Sequence, residues 1–355
     1  PLTSTYGRGT RSGPSKFFAA GHSWVVLAMR IPLPWDVERG IAVPFLFRLY
    51  RSKKRCDGKS YRKRTELARD LLELLESWIP SGYRLLVAGD REYASSTVVR
   101  KLAESTVFVG STHMNAMLHS KPGKYGGRGR PRKTGKRLHS PVQMANDAKT
   151  RWRKTTVQIY GRQVELLVKS TVCLWYTVAG SRSVRVVVTK DPKGRAEIRS
   201  FFSTDSEMSA ETILESFARR WLIEVCFRDV KQFLGVQDPQ NGWSRGKRTP
   251  SAKKQPGPQP RGKRGQHAVL RTAPIAFIAY SVVILWYLEE GDSNRDVRRA
   301  LACAPWYRQK ERPSFRDMLV ALRRESWAAR VLGRAVNKAD LEKVSILFPD
   351  AMLAA

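Results

Sequence analysis

The 355-residue chain is poor in cysteine and in acidic residues, and both shortages narrow its possible roles. Its four cysteines lie far apart and form neither a CxxC pair nor a cysteine–histidine cluster, which argues against a zinc site and against a disulfide scaffold. Asp and Glu together number 31 against 65 Lys and Arg, leaving a formal charge of +34. A nucleic acid is therefore the expected partner, ahead of an acidic metabolite or an acidic membrane surface.

The sequence also lacks a long apolar run and an amino-terminal signal. Its most apolar stretch, residues 273–288, contains Pro274 and is shorter than the roughly 20 residues needed to span a bilayer. We therefore expect a buried helix there and no membrane partner. The chain opens with Pro1 and a polar, glycine-rich stretch instead of an initiator Met or a signal peptide, which predicts a fragment of a longer protein from a reducing compartment.

The first third of the chain alternates strand-like and helix-like patterns. Two runs rich in β-branched and aromatic residues predict a β-hairpin, followed by an amphipathic helix, a short apolar strand, a second helix and a further strand. In order, these elements are predicted over residues 22–31, 41–50, 61–79, 83–88, 94–104 and 106–111. This is an α/β order, and it puts Asp90 at the carboxyl end of a buried strand, where active sites of open sheets gather.

The chain is divided where this pattern changes. Residues 121–139 and 241–265 each carry eight Lys and Arg and no acid, and disorder is expected in the second of these without nucleic acid. Residues 151–190 alternate in strand fashion. The predicted segments are the first part of an α/β domain (1–112), a basic loop with a β-rich insertion (113–198), the second part of that domain (199–288) and a helical C-terminal region (289–355).

A long helix predicted over residues 210–234 is the most informative segment. At 100° per residue, Arg220, Glu224 and Lys231 fall within about 40° of one another. The rest of that face is apolar, with Ile213, Phe217, Ile223, Phe227 and Leu234. Buried charges must pair, bind a metal or meet a charged ligand, because burying them alone is costly. An ordinary i,i+4 ion pair between Arg220 and Glu224 remains an equal alternative.

Asp90 also has two interpretations. An Asp that shortly precedes a helix is often a simple cap. Taken together with Glu224 in so basic a chain, it predicts instead a pair of hard oxygen ligands for Mg²⁺ or Mn²⁺, ions that activate water in phosphodiester chemistry.

The basic loop contains the sequence RGRPRK. Its cations Arg128, Arg130, Arg132 and Lys133 could lie in a narrow A·T-rich minor groove, where the negative potential attracts arginine. The alternative is a solvated loop that touches phosphates without base preference.

Two motifs carry a resemblance to a known family. Phe217, Arg220, Glu224 and Lys231 reproduce, with Phe in place of Tyr, the Y-(2)-R-(3)-E-(6)-K signature of insertion-sequence transposases of the DDE superfamily. The sequence GDREY at residues 89–93 resembles the segment that holds that family's second catalytic Asp. The resemblance implies a ribonuclease H-like catalytic domain interrupted by a β-rich insertion, with a helical C-terminal part.

The resemblance also implies a chemistry. Asp90 would be the second and Glu224 the third acid of a site for two Mg²⁺ or Mn²⁺ ions, with Arg220 and Lys231 on the DNA near the scissile phosphate. The enzyme would hydrolyse a phosphodiester at a transposon end and transfer the strand to target DNA. Its partner would be double-stranded DNA, bound by a homodimer in the bacterial cytoplasm at the nucleoid.

The first acid of the triad has no counterpart on a first strand in this sequence. We expect it upstream of Pro1, so that this chain alone is inactive. Asp205 is predicted to be a cap or turn residue, although activity of the chain would make it the candidate third carboxylate. Two other functions stay open, namely a nuclease of the same fold and a non-catalytic or decayed DNA-binding protein.

Overall fold

The fold is described from a computed structural model, which describes residues 3–8, 16–53, 56, 60–127, 129–236, 262–304, 306 and 308–332. Its strands are β1 (Thr3–Arg8), β2 (Lys16–Gly21), β3 (Ser23–Leu33), β4 (Asp36–Tyr50), β5 (Leu85–Gly89), β6 (Thr106–Ser111), β7 (Arg153–Ile159), β8 (Arg162–Leu174), β9 (Ser183–Lys190) and β10 (Arg199–Ser203). Its helices are α1 (Arg64–Trp78), α2 (Ser96–Val99), α3 (Pro141–Asn146), α4 (Tyr176–Ala179), α5 (Ala210–Arg219), α6 (Leu222–Phe233), α7 (Gly262–Glu290), α8 (Ser293–Cys303) and α9 (Phe315–Leu332).

The chain forms two compact units. The first contains Pro1–Leu27 and Leu46–Trp221, and the second contains Ala28–Phe45 and Leu222–Ala355. The predicted β-hairpin is confirmed as the two-stranded sheet of β3 and β4, which contributes residues to both units.

A six-stranded sheet in the order β5-β6-β10-β9-β8-β7 organises the first unit. Strands β5 and β6 are parallel and the other pairs are antiparallel. Successive residues of a strand point to opposite faces, so Phe108 joins a core with α1 and α2, whereas Val109 joins a core with α5. The strands predicted as a β-rich insertion therefore extend the same sheet as β5 and β6.

Two predicted helices in this unit differ from the structure. The helix predicted over residues 94–104 is reduced to the single turn of α2, because Thr97, Val98 and Val99 are consecutive β-branched residues, which lower helix propensity. The prediction of one helix over residues 210–234 is wrong. The N–H groups of Arg220 and Trp221 donate to carbonyls three residues back, at 3.2 and 3.0 Å, and this tightened turn separates α5 from α6.

The buried residues of α6 differ from the apolar face predicted for this segment. The buried residues of α6 are Leu222, Cys226, Asp229 and Val230. Glu224 is half-buried and Lys231 is exposed, so Lys231 does not lie on a buried face as predicted.

In the second unit, one face of α7 packs on its neighbours. Tyr280 stacks on Phe315 of α9 with ring centroids 4.3 Å apart, and the Tyr287 hydroxyl donates to Asp296 of α8 at 2.9 Å. The apolar run 273–288 is thus helical, as predicted, but buried on one face only. Within the described ranges, α7 is the one helix long and apolar enough to cross a membrane, a test that core helices of soluble proteins also pass.

The last residues of the second basic segment overlap the start of α7. Helix α7 begins at Gly262, so the last four residues of segment 241–265 are helical where disorder was expected. The rest of that segment lies outside the described residues, as does the part of the predicted helical C-terminal region after residue 332.

Candidate active site

Asp90 directly follows β5 in the first unit, and its side chain is about half exposed. Its carbonyl accepts the N–H of Tyr93 at 2.9 Å and closes a tight turn. Helix α2 has Ser95 at its N-cap, so Asp90 does not occupy the cap position of that helix. The capping interpretation of Asp90 is therefore not supported, and a reachable carboxylate stands at the carboxyl end of an edge strand of the six-stranded sheet.

Glycine is required immediately before Asp90. Gly89 lies opposite Gly110 in the β5–β6 pair, and the ring of Phe108 packs against both residues. A Cβ atom on Gly89 would stand 2.7 Å from Cζ of Phe108, closer than packed atoms tolerate. The GD pair of the motif therefore combines close packing with an exposed acid.

We predict that Gly89→Ala lowers the free energy of unfolding by about 1–3 kcal/mol, because the added methyl group overpacks the Phe108 contact. The matched control is Gly123→Ala, since no atom lies within 4 Å of the position its Cβ would take. Denaturant unfolding of the two variants measures the difference. Equal stability of the two variants would show that the core accommodates the methyl group.

Two residues that follow Asp90, Glu92 and Tyr93, are held in place by contacts with α1 and with the core. Arg64 of α1 donates to Glu92 at 2.6 Å, and Tyr93 packs against the core beneath α1 and α2. Burial, reinforced by the nearby charge of Glu92, raises the pKa of the Tyr93 phenol to about 12, so this side chain stays neutral. The sequence reasoning missed Arg64 and Glu92, although the position of Glu92 inside GDREY could have indicated it.

Arg220 meets Asp90 in the first unit. Its Nε lies 3.2 Å from Oδ1 of Asp90, and its guanidinium lies 5.4 Å from the ring centre of Phe217. The Arg220 side chain is largely buried, whereas the Asp90 carboxylate is about half exposed and is the more accessible partner of the pair. Two residues from separate motifs of the sequence, the signature helix and GDREY, are thus in direct contact.

Glu224 and Lys231 belong to the second unit. Glu224 lies in the first turn of α6 and Lys231 in its last turn. They are seven residues apart, which puts them on the same side of the helix. A half-buried carboxylate and an exposed ammonium group therefore share one side of α6.

Asp205 lies near the start of β5, at the other end of that strand from Asp90. Because β10 is antiparallel to β6, Asp205 lies near the start of β5, where Arg84 donates to it at 2.8 Å. The N–H of Glu207 donates to the other carboxylate oxygen, and these two hydrogen bonds lower the pKa of Asp205. The offset from Asp90 is about 13 Å along the strands alone, too far for ions about 4 Å apart. Asp205 is thus a turn residue, as predicted.

The basic loop is anchored at its base and exposed beyond it. The backbone N–H of Ser120 donates to the carbonyl of Lys136, and the backbone carbonyl of Ser120 accepts from the N–H of Gly135, both at 2.9 Å. Of the predicted DNA-binding cations, Arg130, Arg132 and Lys133 are exposed, and Arg128 lies outside the described residues. The loop therefore presents cations to solvent on a fixed stem, which suits contact with phosphates.

A divalent ion such as Mg²⁺ or Mn²⁺ needs several oxygen ligands that converge on one point. Among the residues that the structure describes, no group of three or more His, Cys, Asp or Glu could hold a metal. Asp90 and Glu224 nevertheless supply the carboxylate oxygens that Mg²⁺ and Mn²⁺ prefer. The carboxylate of Asp90 is exposed enough to serve as one ligand of such an ion, in competition with Arg220.

Comparison with known proteins supplies the family. The chain is similar to piggyBac transposase in a cryo-EM structure of its synaptic complex with hairpin DNA, with 13% identity and a TM-score of 0.35. That match covers 92% of this chain and 57% of the piggyBac chain. No curated protein matches the sequence. A family model described as the transposase DDE domain matches residues 58–238, slightly more than half of the chain. The matched residues include both GDREY and the signature helices, and the chain therefore belongs to the DDE transposase family.

Proposed function

We propose that this chain carries the catalytic domain of a DNA transposase that hydrolyses phosphodiesters at transposon ends and transfers the freed strand to target DNA. Asp90 and Glu224 are two of its metal-binding acids, and its domain is ribonuclease H-like, with the strands of residues 113–198 extending its sheet. The contact between Arg220 and Asp90 is the observation that best supports this proposal. It joins the two sequence motifs at an exposed acid in a chain of charge +34.

Arg220 has a role before and after DNA binds. In the DNA-free chain its guanidinium neutralises Asp90 across 3.2 Å. A phosphate group is an alternative partner for the same cation, and guanidinium binds it in a bidentate manner. Transfer of Arg220 from Asp90 to the scissile phosphate would leave the carboxylate open when substrate is present. Arg220 therefore couples DNA binding to the availability of Asp90.

Glu224 and Lys231 complete the proposed site on the evidence of the signature. Glu224 would hold the ion from α6, and Lys231 would bind a phosphate from the same side of that helix. When bound, Mg²⁺ or Mn²⁺ ions activate water and stabilise the leaving oxygen. Because Asp205 lies far from Asp90, we propose that the remaining carboxylate comes from outside the described residues.

The partner in this proposal is double-stranded DNA, both transposon end and target, bound by a homodimer at the bacterial nucleoid. The exposed cations Arg130, Arg132 and Lys133 support DNA contact by the basic loop. Together the two basic segments hold 16 Lys and Arg. Most of the affinity would then be electrostatic and independent of sequence.

This leads to a prediction on salt dependence. If about half of these cations meet phosphates, log K should fall against log salt with a slope of about −7. Deleting residues 241–265 should make the slope markedly shallower, and titrations of labelled duplex at several salt concentrations measure it. As a control, Arg84→Ala removes an exposed cation that pairs with Asp205, and should change the slope by no more than about one. An unchanged slope in the deletion variant would put the DNA path elsewhere.

Incubation with Mg²⁺ and a transposon-end duplex distinguishes the possible functions. A transposase nicks the end and joins it to target DNA, a nuclease of the same fold nicks without joining, and a decayed binding protein shifts the duplex without cutting it. The assay is run on the 355-residue chain and on a version extended upstream. Binding without nicking in both forms, under either Mg²⁺ or Mn²⁺, would contradict the proposed function.

A further inference from the structure

An exposed apolar stripe runs along α7, opposite the face packed on α8 and α9. It consists of Ile275, Ile278, Val282 and Leu285, whose side chains are 51–62% exposed. We call this set the α7 stripe. Its spacing of three, four and three residues is the a/d pattern of a coiled coil, with Ile275 and Val282 at the a positions and Ile278 and Leu285 at the d positions.

Charge separates this stripe from the rest of the surface. Residues 272–288 contain no charged side chain, in a chain whose net charge is +34. Two copies of so basic a protein repel one another over most of their surfaces. The α7 stripe is a neutral face on which they can approach, and Ala279, Ser281 and Trp286 beside it add no charge.

We propose that a second copy of this chain binds the α7 stripe, so that two α7 helices pack against each other. A bilayer is a poorer occupant, because the other face of the same helix is committed to protein, with Tyr280 and Tyr287 fully buried. An acidic partner is also a poorer occupant, because the stripe has no cation with which it could form an ion pair. This surface specifies the homodimer of the proposed function, although its formation requires no catalytic activity.

The size of the stripe sets the strength of the contact. A standard stable interface uses about 20–30 residues on each side, whereas the stripe offers four large side chains and their neighbours. The DNA-free contact is therefore weak. Two copies held on one DNA molecule would associate more strongly, because tethering raises their effective concentration.

Sedimentation of the full chain without DNA tests this inference. We expect a dimer that forms with increasing protein concentration and strengthens as salt is raised, because salt screens the repulsion between the two basic chains. DNA binding by the same protein has the opposite salt dependence. Ile278→Glu should weaken the association at least about tenfold. Val172→Glu, at an exposed apolar position on β8, is the matched control and should leave it unchanged.

A rescue experiment guards against a variant that fails to fold. A chain with Ile278→Glu and Val282→Glu is mixed with a chain carrying Ile278→Lys and Val282→Lys. Each alone should be monomeric, and the mixture should form a heterodimer whether the helices are parallel or antiparallel. Three results would overturn the inference: a wild-type monomer up to about 100 μM, Ile278→Glu dimers as strong as wild type, or no heterodimer from two folded variants. Flotation of wild type with phosphatidylcholine vesicles, lost in Ile278→Glu and without self-association, would instead identify a lipid surface as the occupant.

Discussion

Replacing Asp90 by Asn is expected to lower Mg²⁺-dependent nicking of transposon-end DNA at least about a thousandfold. Loss of a metal-binding carboxylate removes several kcal/mol of transition-state stabilisation, and each 1.36 kcal/mol corresponds to a factor of ten in rate. DNA affinity should change little, because most of it comes from the basic segments. Initial nicking rates and duplex affinity are measured in whichever form cleaves, the chain as given or its extended version.

Asp205→Asn is the matched control for this substitution. Asp205 also follows a strand of the same sheet and also pairs with an arginine, but it lies at the opposite end of the strands from Asp90. Nicking by Asp205→Asn should stay within about threefold of wild type, since nothing in the proposed chemistry reaches it. Retained activity in Asp90→Asn, or a comparable loss in Asp205→Asn, would mean that the acids of the site are misidentified.

Replacing Arg220 by Ala is expected to have opposite effects on metal binding and on cleavage. Without DNA, Mn²⁺ should bind about two- to fivefold more tightly, because the cation that competes for Asp90 is gone and a half-exposed ion pair is worth up to about 1 kcal/mol. Nicking should nevertheless fall about a hundredfold, since a cation at the scissile phosphate is lost. Paramagnetic resonance titration of Mn²⁺ and nicking assays measure the two effects separately.

Arg219→Ala is the neighbouring control for Arg220. Its guanidinium lies 3.9 Å from Glu215 within the same helix and is more exposed than that of Arg220. Both Mn²⁺ affinity and nicking should be close to wild type in this variant. If Arg220→Ala weakened Mn²⁺ binding in the DNA-free protein, Arg220 would be a structural support for Asp90 instead of its competitor.

The local sequence pattern was enough to predict strands β5 and β6 and the position of Asp90 at the end of β5. The apolar runs that became β5 and β6 were short and bounded by turn residues, so their type and the position of Asp90 could be predicted. The break between α5 and α6 could not. Its sequence contains neither Gly nor Pro, and the turn at Arg220 coincides with a contact to Asp90, which is 130 residues away in the sequence.

The side-chain partners in the candidate site likewise depend on contacts between residues that are distant in the sequence. The fold brings Arg220 to Asp90, a contact that the periodicity of residues 210–234 does not encode. The Arg64–Glu92 ion pair joins α1 to the turn after β5, and no local pattern encodes such a partner. For Asp205, by contrast, its position before a helix was enough to predict a turn residue, because its hydrogen bond to the N–H of Glu207 is local.

The most direct test of the central proposal, that Asp90 and Glu224 bind the same metal site, is a double-mutant cycle on Mn²⁺ affinity in the presence of transposon-end DNA. The variants are Asp90→Asn, Glu224→Gln and the combination of the two. Ligands of one site are coupled, so we predict that either single substitution loses nearly as much affinity as the double substitution. Losses that add independently, or no loss from either substitution, would contradict the claim.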